Sequence, residues 1–231
     1  MFFNKKEIFF VIFFLIGMLT HLSAQDTLFY QETRGKIVTQ NVWVLTPTES
    51  NYLHIEGNNA VEYASFLVKN NNTYYWQERR FDSDTQFEMT RTNDYIQIDG
   101  IVHGQKFNKQ YPIDSKNHWI QALGVSLAPF ILADQERLVF QLFSIKEKKF
   151  LEMQVIKKET IALTIDSQEI PAVEVWFTPT GWKSRFWKAI LHFSTETGYL
   201  LTYDGLAGGL GSDKLYIEWL NPQKDAISQS K

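Results

Sequence analysis

The chain has 231 residues, enough for one large domain or two small ones. At 44% hydrophobic and 21% charged it has the balance of a folded protein, which excludes wholesale disorder. It contains no cysteine, so a disulfide scaffold, a cysteine nucleophile, a thiolate metal site and a lipid anchor on an N-terminal cysteine are all excluded.

Residues 1–24 read as a secretory signal peptide. Lys5 and Lys6 form a short basic region, Ile8 to Leu19 is an almost unbroken apolar run, and Ser23-Ala24 offers small residues for cleavage before Gln25. The apolar run is about a dozen residues, short of the roughly 20 that a spanning helix needs. The expected mature chain, 25–231, is one domain of 207 residues with 21 basic and 25 acidic side chains. That net charge of −4 leaves no basic excess for nucleic acid or for anionic lipid. The implied address is the periplasm or the cell exterior, with peripheral attachment to the envelope left open.

Strand-like segments then follow one another between turn signals. They are expected at Leu28–Arg34, Lys36–Leu45, Tyr52–Glu56, Val61–Lys69, Thr73–Arg80, Gln86–Arg91 and Tyr95–Val102. After a break they resume at Arg137–Ile145, Leu151–Lys157, Thr160–Ile165, Ile170–Thr178, Arg185–Phe193, Tyr199–Tyr203 and Leu215–Leu220. Asn70-Asn71-Asn72 and Asp166-Ser167-Gln168 are turns, because Asn and Asp tolerate the left-handed backbone. Connections this short join only antiparallel neighbours. Alternation such as Leu53 and Ile55 against His54, or Ile96 and Ile98 against Gln97, gives each strand one apolar face. Trp187, Ala189, Leu191 and Phe193 are expected to share such a face, with Trp187 buried.

One helix is expected between the two groups of strands, from about Asn117 to Ala128, capped by Asp114 or Ser115. Trp119, Leu123 and Leu127 fall at four-residue spacing, Gly124 weakens the middle, and Pro129 ends or kinks the helix. The fold class is therefore mainly β: a curved, open antiparallel sheet, a half-barrel meander, with one principal helix across its concave face.

From Trp119 to Leu220 the chain resembles a family of bacterial secreted proteins of unknown function, related to the lipoprotein-carrier (LolA-like) half-barrel fold. The residues that carry the resemblance begin with His118–Gln121, Leu127–Phe130, Glu159–Ile161 and Pro171–Val175. They continue with Gly181-Trp-Lys-Ser-Arg-Phe-Trp-Lys-Ala, His192-Phe and Gly198–Tyr203. The resemblance implies a cavity able to hold an acyl chain or another apolar group, and it is silent on chemistry.

Catalytic and metal motifs are missing from the pattern. His54, His103, His118 and His192 form neither H-x-x-x-H nor H-E-x-x-H, and Ser126 has no nucleophile elbow around it. Gly205–Gly211 lacks the ending of a phosphate loop and precedes a strand. Trp182, Phe186 and Trp187 with Lys183, Arg185 and Lys188 form the densest aromatic–basic cluster, read as a strand with alternating faces. No cofactor and no metal are expected. The expectation is a non-catalytic envelope protein that binds a lipid-like or other apolar or amphipathic molecule through Trp119, Leu123, Leu127, Phe186, Trp187 and Trp219. The alternatives are a structural or protein-interaction module and an enzyme with a scattered site. A cavity filled by the chain's own side chains favours the former; titratable groups converging inside it favour the latter. The oligomeric state is open.

Overall fold

The computed structural model describes residues 25–207 and 212–221. The expected signal peptide and most of the glycine loop, residues 208–211, lie outside the described residues.

Among the described residues, fourteen strands follow in chain order. They are β1 Asp26–Arg34, β2 Ile37–Pro47, β3 Leu53–Asn58, β4 Glu62–Lys69, β5 Asn72–Arg80, β6 Thr85–Arg91 and β7 Tyr95–Val102. Then come β8 Gln105–Pro112, β9 Arg137–Ser144, β10 Lys149–Ile165, β11 Gln168–Pro179, β12 Ala189–Ser194, β13 Leu200–Leu206 and β14 Lys214–Leu220. All belong to one antiparallel sheet in the order β8-β7-β6-β5-β4-β3-β2-β1-β14-β13-β12-β11-β10-β9. Two meanders are thus joined back to back by the first and last strands, with Phe29 opposite Leu220 and Arg34 opposite Leu215. The turns form where the side chains permit: Asn70, Asn71, Asp166 and Ser167 all take positive φ, the left-handed region that polar Asn, Asp and their like enter most readily.

The sheet is open, and its free edges, β8 and β9, are consecutive in sequence. No backbone ladder joins them. Tyr111 of β8 instead stands edge-on to Phe143 of β9 (5.8 Å) and Phe150 of β10 (5.2 Å), and its hydroxyl donates to the Lys148 carbonyl. Such contacts between opposite ends of the strand order require the sheet to curl strongly.

Residues His118–Gln121 seal part of the gap. Gln141 of β9 donates its N–H to the His118 carbonyl (2.7 Å), and Ile120 donates to the Gln141 carbonyl (3.0 Å), a parallel bridge centred on Trp119. On its other side the segment accepts at the Trp119 carbonyl from Thr73 of β5 (2.7 Å). The Gln121 side chain then imitates a strand, donating to the Phe143 carbonyl (3.2 Å) and accepting from the Phe143 N–H (3.1 Å).

This arrangement corrects the helix expected over Asn117–Ala128. Residues 118–121 are extended because both neighbours claim their backbone groups, and helix forms only as two short turns, α1 Leu123–Ser126 and α2 Ala128–Leu132. Pro129 sits in the first turn of α2, where its missing N–H costs nothing. Asp114 caps no helix; its carboxylate accepts from the Lys116 N–H in a turn. Gly124 packs on Leu200, and Gly198, at φ 73°, lies so near Ala128 that an added Cβ would stand 2.9 Å from its backbone. The helical pair is therefore pressed onto the β12–β13 corner, inside the curl.

Three further expectations shift. β8 takes the place of the expected break; as an exposed edge it needs few apolar side chains and gives little apolar signal. The two strands expected at Leu151–Lys157 and Thr160–Ile165 are one, β10, with a bulge between Lys157 and Thr160 opposite β11. The strand expected from Arg185 begins only at Ala189, because Gly181–Arg185 forms a 3₁₀ turn.

The apolar faces form two packed clusters. Leu45, Ile55, Phe66, Trp76, Phe87 and Met89 lead the first, joined by Trp119 and Phe143. Phe140, Val155, Phe177, Leu191 and Phe193 lead the second, joined by Leu127 and Phe130. Trp119 is wholly buried, whereas Trp182 is 69% exposed. Trp119→Ala is expected to lower stability by about 3–5 kcal/mol and Trp182→Ala by no more than about 0.5 kcal/mol. Urea denaturation midpoints check this, and equal midpoints would contradict the plug described for residues 118–121.

Candidate functional site

Between the two clusters the curl leaves a cavity of about 1530 Å³. Strands from both meanders wall it, from Trp43 of β2 and Trp76 of β5 to Phe143 of β9, Phe177 of β11 and Leu215 of β14. The apolar wall is built by a ladder of rings. Trp43 stacks on Phe66 and Phe66 on Trp76, both at 5.9 Å, and Trp76 meets Phe87 edge-on at 4.8 Å. Between Trp43 and Phe66 lies β3, which contributes Gly57; a Cβ there would stand 3.0 Å from the Trp43 ring. A glycine is what lets the indole lie flat across a neighbouring strand.

Two tyrosines on the wall keep their hydroxyls occupied. Tyr30 donates to the Leu200 carbonyl (3.0 Å) and Tyr203 to the Leu206 carbonyl (2.9 Å). Burial pushes both phenols well above their usual range. Each ring thus adds apolar surface with its hydroxyl already hydrogen-bonded.

One sector of the wall is polar. Glu78 on β5 is buried, 3% exposed, and accepts from Arg80 Nε at 2.6 Å; Arg80 also reaches Glu62 of β4 at 3.5 Å. Beside them Asn59 donates to Asn41 (2.6 Å), and Asn41 donates to Glu32 (3.1 Å). Burial, reinforced by Glu62, outweighs Arg80 and pushes the Glu78 carboxyl up to about 7. Burial also raises Glu62. The cavity is therefore amphipathic, aromatic along β2–β5 and β9–β11, with a sector of carboxylates, amides and the guanidiniums of Arg34 and Arg80.

Of the six residues expected to contact a ligand, Leu123, Phe186 and Trp187 line the cavity. Trp119 and Leu127 do not; both are fully buried in the packed clusters, Trp119 against Phe150 (6.2 Å). Trp219 packs partly buried on β14 outside the lining. Trp187 precedes β12 rather than lying in it, and is half-buried with its ring edge-on to Phe177 (5.2 Å). Phe186 is exposed and pairs edge-on with Trp182 (5.5 Å) at the cavity rim. The alternating faces expected for residues 182–188 do not exist, since the 3₁₀ turn breaks the period of two.

The sequence reading missed the Glu62–Glu78–Arg80 cluster and the Trp43–Phe66–Trp76 ladder. Glu78 stands two residues from Trp76 on the apolar face of β5, so strict alternation carried a charged residue inward. That was the available signal. Among the described residues, no group of three or more His, Asp or Glu side chains is arranged to hold a metal ion.

A carboxyl raised on folding favours the protonated folded state. The stability it contributes is complete below its ordinary 4.5 and is lost as pH rises through about 7. Glu78→Gln mimics the protonated form and keeps an acceptor for Arg80. The variant is expected to melt higher than the wild type at about pH 8, with the difference vanishing below about pH 4.5. Parallel melting curves across that range would refute the placement of Glu78.

Compared with known proteins, the chain matches no protein-family model and no curated sequence.

Proposed function

We propose that this protein is a non-catalytic carrier or binding protein of the bacterial envelope, holding an amphipathic, lipid-like molecule in the curl of its sheet. The observation that carries the reading is the cavity itself. At about 1530 Å³ it exceeds the roughly 300–1,000 Å³ typical of small-molecule pockets. Its wall combines ring and aliphatic surface with the Glu62–Glu78–Arg80 cluster and further polar side chains such as Lys146, Glu152 and Lys183, which suits a ligand with a long apolar body and a hydrogen-bonding head. The ordering cost of holding a flexible chain is offset by burying its methylenes, each contributing about 0.8 kcal/mol. A signal peptide over residues 1–24 belongs to the same proposal and gives the protein its periplasmic or secreted address.

A second reading has one observation in its favour. Glu78, raised to about 7 beside Glu62 and Arg80, has the pKa a general acid or base needs at neutral pH. The 2.6 Å contact with Arg80 and the burial of Glu78 favour a self-neutralised structural cluster instead. The binding reading is therefore preferred.

Mass spectrometry of organic extracts from natively purified protein is expected to reveal a stoichiometric copurifying lipid or fatty acid. In the delipidated protein, an environment-sensitive apolar dye is expected to bind saturably and to be displaced by fatty acid. Leu123→Trp fills the cavity and is expected to weaken dye binding at least severalfold, while Leu132→Trp, at an exposed position, leaves it unchanged. Absence of saturable binding would remove the carrier reading.

A further inference from the structure

The antiparallel order sends all seven odd-to-even connections, β1–β2 through β13–β14, to the same end of the sheet. The seam fixes this, since Arg34 at the end of β1 lies opposite Leu215 at the start of β14. The β9–β10 turn joins the same end, because Met153 near the start of β10 lies opposite Pro179 at the end of β11.

Two properties gather there. The first is exposed apolar surface. Of ten large hydrophobic side chains exposed among the described residues, seven sit on or beside these connections: Ile37, Val38, Val61, Phe81, Ile101, Trp182 and Phe186. Ile37, Val61, Trp182 and Phe186 also line the mouth of the cavity. The second is positive charge. Counted from the last residue of one strand to the first of the next, the seven connections carry ten Lys and Arg against five Asp and Glu. The five turns at the other end carry two against four. The whole chain is net −3, so the absence of a basic excess, read from composition, conceals a dipole along the strands. Lys183 and Arg185 flank Trp182 and Phe186 on the 3₁₀ turn, and Lys146, Lys148 and Lys149 cluster on the β9–β10 turn.

From this we infer that the hairpin end is a docking face for an anionic lipid bilayer, with the aromatic tips seated among the headgroups and the cavity mouth turned toward the membrane. Charge complementarity selects the occupant. Anionic headgroups meet the basic excess, while Trp and Phe favour the boundary between headgroups and acyl chains. Folded proteins seldom gather large apolar side chains at one exposed end without such a partner. The inference stands on the surface alone and does not require the cavity to be occupied.

The test is cosedimentation of the full mature chain with vesicles of phosphatidylcholine mixed with phosphatidylglycerol, against vesicles of phosphatidylcholine alone. Binding is expected only to the anionic vesicles and is expected to fall with added salt. Lys183→Gln combined with Arg185→Gln removes two charges, each contributing roughly fivefold, so binding is expected to weaken about 25-fold. Lys69→Gln with Lys116→Gln, two charges at the other end, is expected to leave it unchanged. With brominated lipid, part of the tryptophan fluorescence is expected to be quenched, and Trp182→Phe is expected to abolish most of that quenching. No binding to anionic vesicles, or equal weakening by the two charge pairs, would overturn the inference. Vesicle binding without dye binding would preserve it while removing the carrier reading.

Discussion

Everything in this molecule depends on how two sheet edges are left unpaired. A strand edge exposes a row of N–H and C=O groups that must find partners. Here the edges β8 and β9 approach across the curl but do not pair, and residues 118–121 take up part of the duty. The amide of Gln121, matched to both backbone groups of Phe143, serves where a further strand would stand. Because the gap is filled by a short extended segment, the sheet stays open and curled. The helical turns that follow are too small to fill the concavity, and the cavity persists between the two packed clusters.

Alternation and turn chemistry carried most of the fold into view from the sequence. Asn70 and Asn71, Asp166 and Ser167 mark their turns through a tolerance for positive φ that is local to each residue. Ile96 and Ile98, wholly buried, alternate with more exposed neighbours over a single strand. What stayed hidden depends on partners distant in sequence. The four-residue spacing of Trp119, Leu123 and Leu127 is a genuine helical pattern, overruled because Thr73 and Gln141 claim the backbone on either side of Trp119. β8 was silent because this edge strand places only Phe107 and Tyr111 against the core, with Lys109 between them, too few apolar positions for an alternation to show. At the site, Leu123, Phe186 and Trp187 were legible as apolar residues near a concavity. The role of Gly57 was not, since it exists only once Trp43 lies over it.

The cavity and the outer surface share a polarity. Inside, rings occupy most of the wall while Glu32, Glu62, Glu78 and Arg80 gather in one sector. Outside, apolar tips and basic side chains share one end, where β1 turns into β2 and β11 into β12. Arg34 and Arg80 stand close to the junction of the two, on the cavity wall and at strand ends. For an amphiphile of the kind proposed, such continuity would let the polar head pass from one charged environment to another without the cost of burying an unpartnered polar group.

The pairing of β1 with β14 has a consequence for how the chain reaches this state. Within each meander every strand pairs with its sequence neighbour, so contacts are local and loop-closure entropy is small. The seam between β1 and β14 joins residues almost the full length of the described chain apart. It is the one ladder that must await both ends, and topology places such closures late and slow. Until it forms, each half is a curled sheet with an additional bare edge, which makes the interval before closure the period of greatest exposure to aggregation. A chain built this way has reason to fold only where β14 is free to return to β1.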